Sequence, residues 1–132
     1  MVLLDTSVWI EYFRQIEPVA SQVTDLLEDQ QVITVEPVFS ELMFRARDIK
    51  ERNVIRTYWQ ILPRAEFKEE SMFDASSFAF DSELYGNNVS LIDVVIIRSA
   101  QRGGYKLWTL DDRVTGSLDS SQLYMVPESQ ED

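Results

Sequence analysis

The sequence predicts an α/β fold, a three-layer α/β/α sandwich around a central, mainly parallel sheet of about five short strands. Three observations predict it. Short strand-like runs, the apolar MVLL, QVITV, YKLWTL and QLYMV and the more charged AEFKE, are separated by amphipathic helical segments. Several of those segments have ten residues or more, the length at which strands are joined in parallel by right-handed crossovers. The chain has 132 residues of which 45% are hydrophobic, with no internal repeat and no low-complexity tract, so one domain can bury roughly two thirds of the surface exposed by the unfolded chain.

MVLL is stopped by Asp5, Thr6 and Ser7, all preferred at helix N-caps, and SVWIEYF then sets Val8, Trp9, Tyr12 and Phe13 at helical spacing. A strand thus feeds a helix. After Glu17-Pro18, VASQVTDLLED repeats apolar residues at 19, 20, 23, 26 and 27 and is a second helix; QVITV is the second strand. Pro37 suits the first turn of a third helix, PVFSELMFRAR. Residues 48–62 form a charged helix with an apolar stripe of Ile49, Val54, Ile55, Tyr58, Trp59 and Leu62, ended by Pro63. AEFKE is read as a short strand and SMFDASSFAFDSELYG as a helix closed by Gly86-Asn87-Asn88. LIDVVIIRSAQRG is apolar enough for a buried strand, but its length, its cap at Ser90 and its stop at Gly103-Gly104 favour a helix. YKLWTL is a strand, DDRVTGS a short helical turn, and QLYMV a last strand before the polar tail PESQED.

Composition narrows the chemistry. With no His, the chain cannot perform Ser-His-Asp hydrolysis or imidazole acid–base catalysis, and with no Cys it has no thiolate nucleophile, thiolate zinc site or disulfide. Twelve basic against 23 acidic side chains give a net charge of −11, which opposes a polyanionic partner unless basic groups are concentrated locally. MVLLDTSVWIEYFR has neither a cationic start nor a long apolar stretch, so neither signal peptide nor membrane span is expected and the expected location is the cytoplasm.

Four acids stand out. Asp5 follows the first strand, and Asp111 follows YKLWTL with Thr109 two residues earlier, so both belong at the carboxyl edge of the sheet. Each also suits an N-cap. Glu41 lies in VFSELMF among Val38, Phe39, Leu42 and Phe44, with Arg45 at i+4 as an ordinary partner worth about 0.3–0.5 kcal/mol. Asp93 interrupts LIDVVII, and Ser90 three residues before it gives capping-box spacing, although the box normally uses Glu or Gln. Singly, each acid has a structural explanation. Jointly, three of them start helices along one sheet edge and the fourth can approach from the helix after the second strand. Four carboxylates gathered without His or Cys raise one another's pKa unless a cation neutralises them. Mg²⁺ or Mn²⁺ prefers such oxygen ligands and keeps waters for a phosphate, which suits phosphodiester hydrolysis.

On these residues the chain resembles the PIN domain family, and within it most closely the VapC-type toxin ribonucleases. LLDTSVWIEYF, VEPVFSELMFRA, VSLIDVVIIRSAQRGGYKLWTLDD and a terminal short strand carry the resemblance nearly end to end, with Asp5, Glu41, Asp93 and Asp111 in the family's acidic order. The resemblance implies one PIN-like domain over residues 1–132 and a metal-dependent endoribonuclease with those four acids as metal ligands and catalytic groups. Thr6 and Thr109 correspond to hydroxyls that hold the site. Asp112 is a second-rank candidate, because the family's last acidic motif often continues into another Asp and an aromatic where this chain has Asp112-Arg113. The resemblance also implies an RNA substrate, a small antitoxin that inserts a peptide into the site, often through an Arg, and a homodimer.

Arg45, Arg47, Lys50, Arg52 and Arg56 cluster after Glu41, and Arg14, Arg98, Arg102 and Arg113 each follow a proposed acid. Residues 66 to 83 hold six acids and one Lys, and four acids but no basic residue follow Arg113, so a basic rim on an acidic body answers the charge objection. Arg14, Arg45, Arg98 and Arg113 are the candidate RNA contacts. Trp9, Tyr12, Phe13, Phe39 and Phe44 are read as core before contact surface. A haloacid-dehalogenase-like phosphatase needs a second Asp two residues after the first, where Ser7 stands. A PIN-type nuclease that matures RNA without an antitoxin, and a catalytically silent PIN-fold protein-binding domain, stay open.

Overall fold

The computed structural model describes residues 1–84 and 88–127. Strand β1 (Val2–Leu4) pairs in parallel with β2 (Val32–Ile33) on one side and β3 (Lys106–Trp108) on the other, with Leu3 opposite both Ile33 and Leu107. Leu3, Leu4, Val32 and Leu107 are buried, which is why these strands read as continuous apolar runs instead of alternating ones. The order β2-β1-β3 sends the chain from β1 to one neighbour and later back to the other side of β1. The connections therefore diverge beyond the carboxyl ends of β1 and β3, the switch point at which open α/β sheets bind ligands.

Among the described residues three strands form the sheet, not about five. The two expected edge strands give way to single parallel bridges, between Thr34 and Arg64, just before AEFKE, and between Leu107 and Leu123 of QLYMV. Thr34 N donates to Pro63 O at 3.0 Å and Ala65 N donates to Thr34 O at 2.6 Å. Pro63 has no N–H to extend the ladder backward. The charged residues after Ala65 leave the edge, with Lys68 N donating to Ser71 Oγ at 2.9 Å as the chain turns into the next helix. At the other edge Tyr124 N donates to Leu107 O at 2.8 Å, and Pro127 follows shortly. The Arg64 guanidinium covers its edge, 3.8 Å above the Trp59 ring and donating to Trp59 O.

The helices are α1 (Thr6–Phe13), α2 (Val19–Glu28), α3 (Glu36–Phe44), α4 (Ile49–Ile61), α5 (Ser71–Asp81), α6 (Leu91–Gly103) and α7 (Asp112–Thr115). Helix α3 ends three residues earlier than expected because Asp48 takes an extended conformation and starts α4, its side chain accepting from Glu51 N at 2.8 Å. Helix α5 ends at Asp81, before the expected stop at Gly86-Asn87-Asn88, because Ser82 caps it and Glu83 takes a positive φ of 60°; Gly86 and Asn87 themselves lie outside the described residues, as does the tail beyond Pro127. Among the described residues no helix is long and apolar enough to cross a membrane.

Trp9 is fully buried and fixes α1 against α3 and α4, with the rings of Tyr12, Phe13, Phe39 and Tyr58 at 5.7, 5.5, 5.2 and 5.8 Å from its own. Phe44 does not join them: it is 90% exposed at the end of α3. Helix α6 buries Val94, Val95, Ile96, Ile97 and Ala100 and stops at Gly104 with φ of 71°, a left-handed conformation that Gly adopts without steric cost.

Helix α5 is held to α6 by Asp74, whose Oδ2 accepts from Arg98 Nε at 3.1 Å and Arg102 Nη1 at 3.3 Å. The Arg98 hydrogen bond, with both guanidinium charges, holds the Asp74 carboxyl below its usual 3.8. A lowered carboxyl pKa contributes stability above the unfolded value and loses it as pH falls through the folded one. Asp74→Asn is therefore expected to lower the melting temperature slightly at pH 7, with the two proteins converging below pH 3.8 in a pH series of thermal melts.

Candidate active site at the sheet switch point

Asp5 continues directly from β1 in an extended conformation and caps α1, its Oδ1 accepting from Val8 N at 3.2 Å and from Ser7 Oγ at 2.5 Å. Its backbone N donates to Trp108 O at 3.0 Å, which ties the end of β1 to the end of β3. Ser7 Oγ also accepts from Leu110 N at 3.1 Å, so one hydroxyl bridges the loops that leave the two strands. Thr109 donates its hydroxyl to the Asp5 carboxylate and accepts from Asp111 N at 3.1 Å. A hydroxyl with one donor and two acceptor positions can serve both acids at once.

Asp5 is only 7% exposed, and no Lys or Arg among the described residues pairs with it. Burial pushes its carboxyl above the usual range, against the opposing hydrogen bonds from Ser7, Thr109 and Val8. Asp111 has a cation of its own. It caps α7 and accepts from Arg113 through the backbone N, Nε and Nη2, at 2.9, 3.1 and 2.7 Å. The Arg113 hydrogen bonds hold Asp111 below the usual carboxylate range, and Arg113 is itself raised, first by Asp111 and in smaller part by the charge of Asp93. Asp93 completes the capping box of α6: its N donates to Ser90 Oγ at 3.1 Å and its Oδ2 accepts from Ser90 N at 3.0 Å. The box engages one carboxylate oxygen.

The structure thus joins Asp5, Thr109, Asp111 and Arg113 by hydrogen bonds and sets Asp93 in the field of Arg113. Glu41 stands apart from this network. It is half-buried on α3, which packs against both α1 and α6, and it pairs with Arg45 at 3.3 Å. Thr6 is buried, but among the described residues its Oγ1 has no hydrogen-bond partner; the hydroxyls that brace Asp5 are those of Thr109, as expected, and of Ser7, which the resemblance does not single out. Asp112 is exposed in the first turn of α7. Arg98 faces Asp74, with its guanidinium 4.7 Å above the Phe78 ring, and so serves the α5–α6 contact. Arg14 is exposed at the far end of α1, roughly 13.5 Å of helix rise from Asp5.

Among the described residues no three Asp, Glu, His or Cys side chains gather tightly enough to hold one metal ion. The donor chemistry of the network is nevertheless all oxygen, and its buried member has no cation. That combination fits a hard divalent ion such as Mg²⁺ or Mn²⁺ and not a thiolate or imidazole metal.

An all-parallel α/β domain with acids following two adjacent strands at the switch point is the class defined by fold and site together. The chain belongs to the PIN domain family, whose model matches residues 2–115, a span that contains Asp5, Glu41, Asp93 and Asp111. It is similar to Ribonuclease VapC32 of Mycobacterium tuberculosis, with 28% identity over 129 residues covering 97% of this chain and 98% of that protein. Its fold is similar to that of VapBC2 from Rickettsia felis, solved bound to a DNA fragment from their promoter, with a TM-score of 0.67, 15% identity and coverage of 93% of this chain and 96% of that one. FitAcB from Neisseria gonorrhoeae gives a TM-score of 0.59 at 17% identity, covering 93% of this chain and 94% of that one.

Proposed function

We propose that the chain is a metal-dependent endoribonuclease that hydrolyses RNA phosphodiester bonds, and that it is the toxin of a type II toxin–antitoxin pair. The observation that carries the reading is Asp5: a buried carboxylate with no cationic partner, joined through the Thr109 hydroxyl to Asp111 at the switch point of the sheet. An isolated buried carboxylate costs several kcal/mol unless hydrogen bonds or a cation offset it, and a divalent ion is the cation that this site would take. Family membership and similarity over nearly the full length to a protein named a ribonuclease support RNA as substrate.

Asp5, Asp93 and Asp111, with Glu41, hold Mg²⁺ or Mn²⁺ in this reading. The ion, when bound, supplies Lewis-acid stabilisation of the phosphoryl oxygens and a water of lowered pKa. Ser7 and Thr109 fix the rotamers of Asp5 and the Asp111 loop, and a carboxylate of the set accepts the proton of the attacking water. Arg45 and Arg113, with Arg14 farther out, hold flanking phosphates, and Asp112 is a reserve carboxylate beside Asp111. We read the chain as one domain with helices on both faces of its sheet, acting in the cytoplasm as a homodimer. A small antitoxin would silence it by presenting an Arg to the acidic site, a charge-assisted pairing.

Calorimetry and an RNA cleavage assay test this together. The parent protein is expected to show a saturable Mn²⁺ heat, weakened at least 10- to 100-fold in Asp93→Asn, and cleavage abolished by EDTA and restored by Mn²⁺. Cleavage that persists in EDTA defeats the metal mechanism; an absence of both heat and cleavage leaves a silent PIN-fold scaffold.

A further inference from the structure

Arg113 occupies the acid with which it pairs. Nε and the backbone N of Arg113 both reach Oδ1 of Asp111, and Nη2 reaches Oδ2 at 2.7 Å, so both oxygens of a carboxylate placed in the metal site are engaged by one residue in the fork geometry of Arg–carboxylate pairs. The same guanidinium lies in the field of Asp93. Asp5, another acid of the network, has no cationic partner among the described residues. Arg113 therefore neutralises Asp111 and leaves Asp5 unneutralised.

The pair has the character of a removable cover and not of a structural bridge. Arg113 and Asp111 are two residues apart on one short turn, and the Arg113 side chain is 61% exposed. Breaking the contact separates no two elements, and exposed ion pairs of this kind contribute little to stability. The Asp74 cluster is the contrast within the same molecule, since its carboxylate joins two helices across 24 and 28 residues of sequence. A long, exposed stem attached one turn from the acids can swing from a carboxylate to a phosphate at small cost, because the guanidinium suits both equally.

We propose that Arg113 is a displaceable counter-ion of the acidic site: in the metal-free protein its guanidinium covers both oxygens of Asp111, and a divalent ion that takes those oxygens releases it to hold an RNA phosphate. The inference rests on the reading of this site as a metal centre. Since the guanidinium and the ion compete for the same oxygens, each weakens the other by the same factor. For an exposed pair that factor is about 1.5- to 5-fold.

The test is Mn²⁺ calorimetry on the parent and Arg113→Gln at low ionic strength, together with the Arg113 Nε–H resonance during Mg²⁺ titration of the parent. Because the side chain is exposed, the variant folds, as its circular dichroism will verify. Arg113→Gln is expected to bind Mn²⁺ about two- to five-fold more tightly while raising KM for RNA, two effects of opposite sign that a purely structural residue would not produce. The Nε–H signal is expected to move with the same midpoint as metal binding. A variant that binds Mn²⁺ no more tightly than the parent, or a resonance that stays in place while metal saturates, overturns the role of Arg113 and leaves the metal site standing. A parent with no saturable metal heat removes the site and this role together.

Discussion

Replacing Asp5 with Asn is expected to abolish RNA cleavage and at the same time to raise the melting temperature of the metal-free protein. Asn keeps the shape and still caps α1, since its Oδ1 can accept from Val8 N and Ser7 Oγ as the carboxylate does. What it loses is the charge that holds a divalent ion, a loss of about 10³-fold or more in cleavage rate. The stability change has the opposite sign because burial raises the Asp5 carboxyl above its usual 3.8. Above the folded pKa, ionised Asp5 favours the unfolded chain; below 3.8 both states carry the proton and the penalty vanishes. In EDTA at pH 7 the variant should gain about 0.5–2 kcal/mol, read as about 2–8 °C, and this advantage should shrink as pH falls toward 4. Saturating Mn²⁺ should reverse the order, since a ligand at 100 times its Kd adds about 2.7 kcal/mol to the protein that binds it. An Asn variant that melts below the parent in EDTA, or that cuts RNA at the parent's rate, contradicts the assignment.

The strands and helix starts were legible because they depend on local signals. β1, β2 and β3 are buried parallel strands and read as apolar runs, while Asp5, Ser90 and Asp111 suit helix N-caps in the sequence and occupy them in the structure. The sheet edges were less legible. QLYMV pairs through Leu123 only, and the bridge expected of AEFKE is made by Arg64 just before it, since Pro63 and the charged run after Ala65 decide how far pairing extends at that edge. The site shows the same division. The structural roles available to each acid are all realised: Asp5 and Asp111 cap, Asp93 closes its box, and Glu41 pairs with Arg45. Capping and metal binding are not exclusive for a carboxylate, because a cap engages part of its acceptor capacity. Spacing could not reveal which acids converge, nor that Arg98 would be drawn away to Asp74, 24 residues distant. The exchange of Thr6 for Ser7 has a local cause. An N-cap carboxylate curls toward the residues two and three positions on, so Ser7 meets Asp5 while Thr6 turns into the protein.

Trp9→Ala should be the most destabilising single substitution in α1, and it should disable the site from within the core. The side chain is fully buried among four aromatic rings, and truncating a buried Trp to Ala costs about 3–5 kcal/mol. Against a total of about 5–15 kcal/mol for a domain, that leaves a marginal fold. The coupling to function is geometric: Trp9 N donates to Asp5 O at 3.3 Å, so Trp9 sits in the first turn of the helix that Asp5 caps. Loosening α1 from α3 and α4 moves the Asp5 carboxylate relative to Thr109 and Asp111. Trp9→Phe separates packing from polarity. Trp9 Nε1 is buried with no hydrogen-bond partner, and an unmet buried donor costs about 1–3 kcal/mol. Phe removes that donor while keeping most of the ring, so its net cost should be well under half that of Ala. Urea denaturation of the three proteins should rank parent and Trp9→Phe close together with Trp9→Ala far below. The opposite ranking, with Phe as costly as Ala, would show that the indole N–H is bonded in solution and that the aromatic cluster is not what anchors α1.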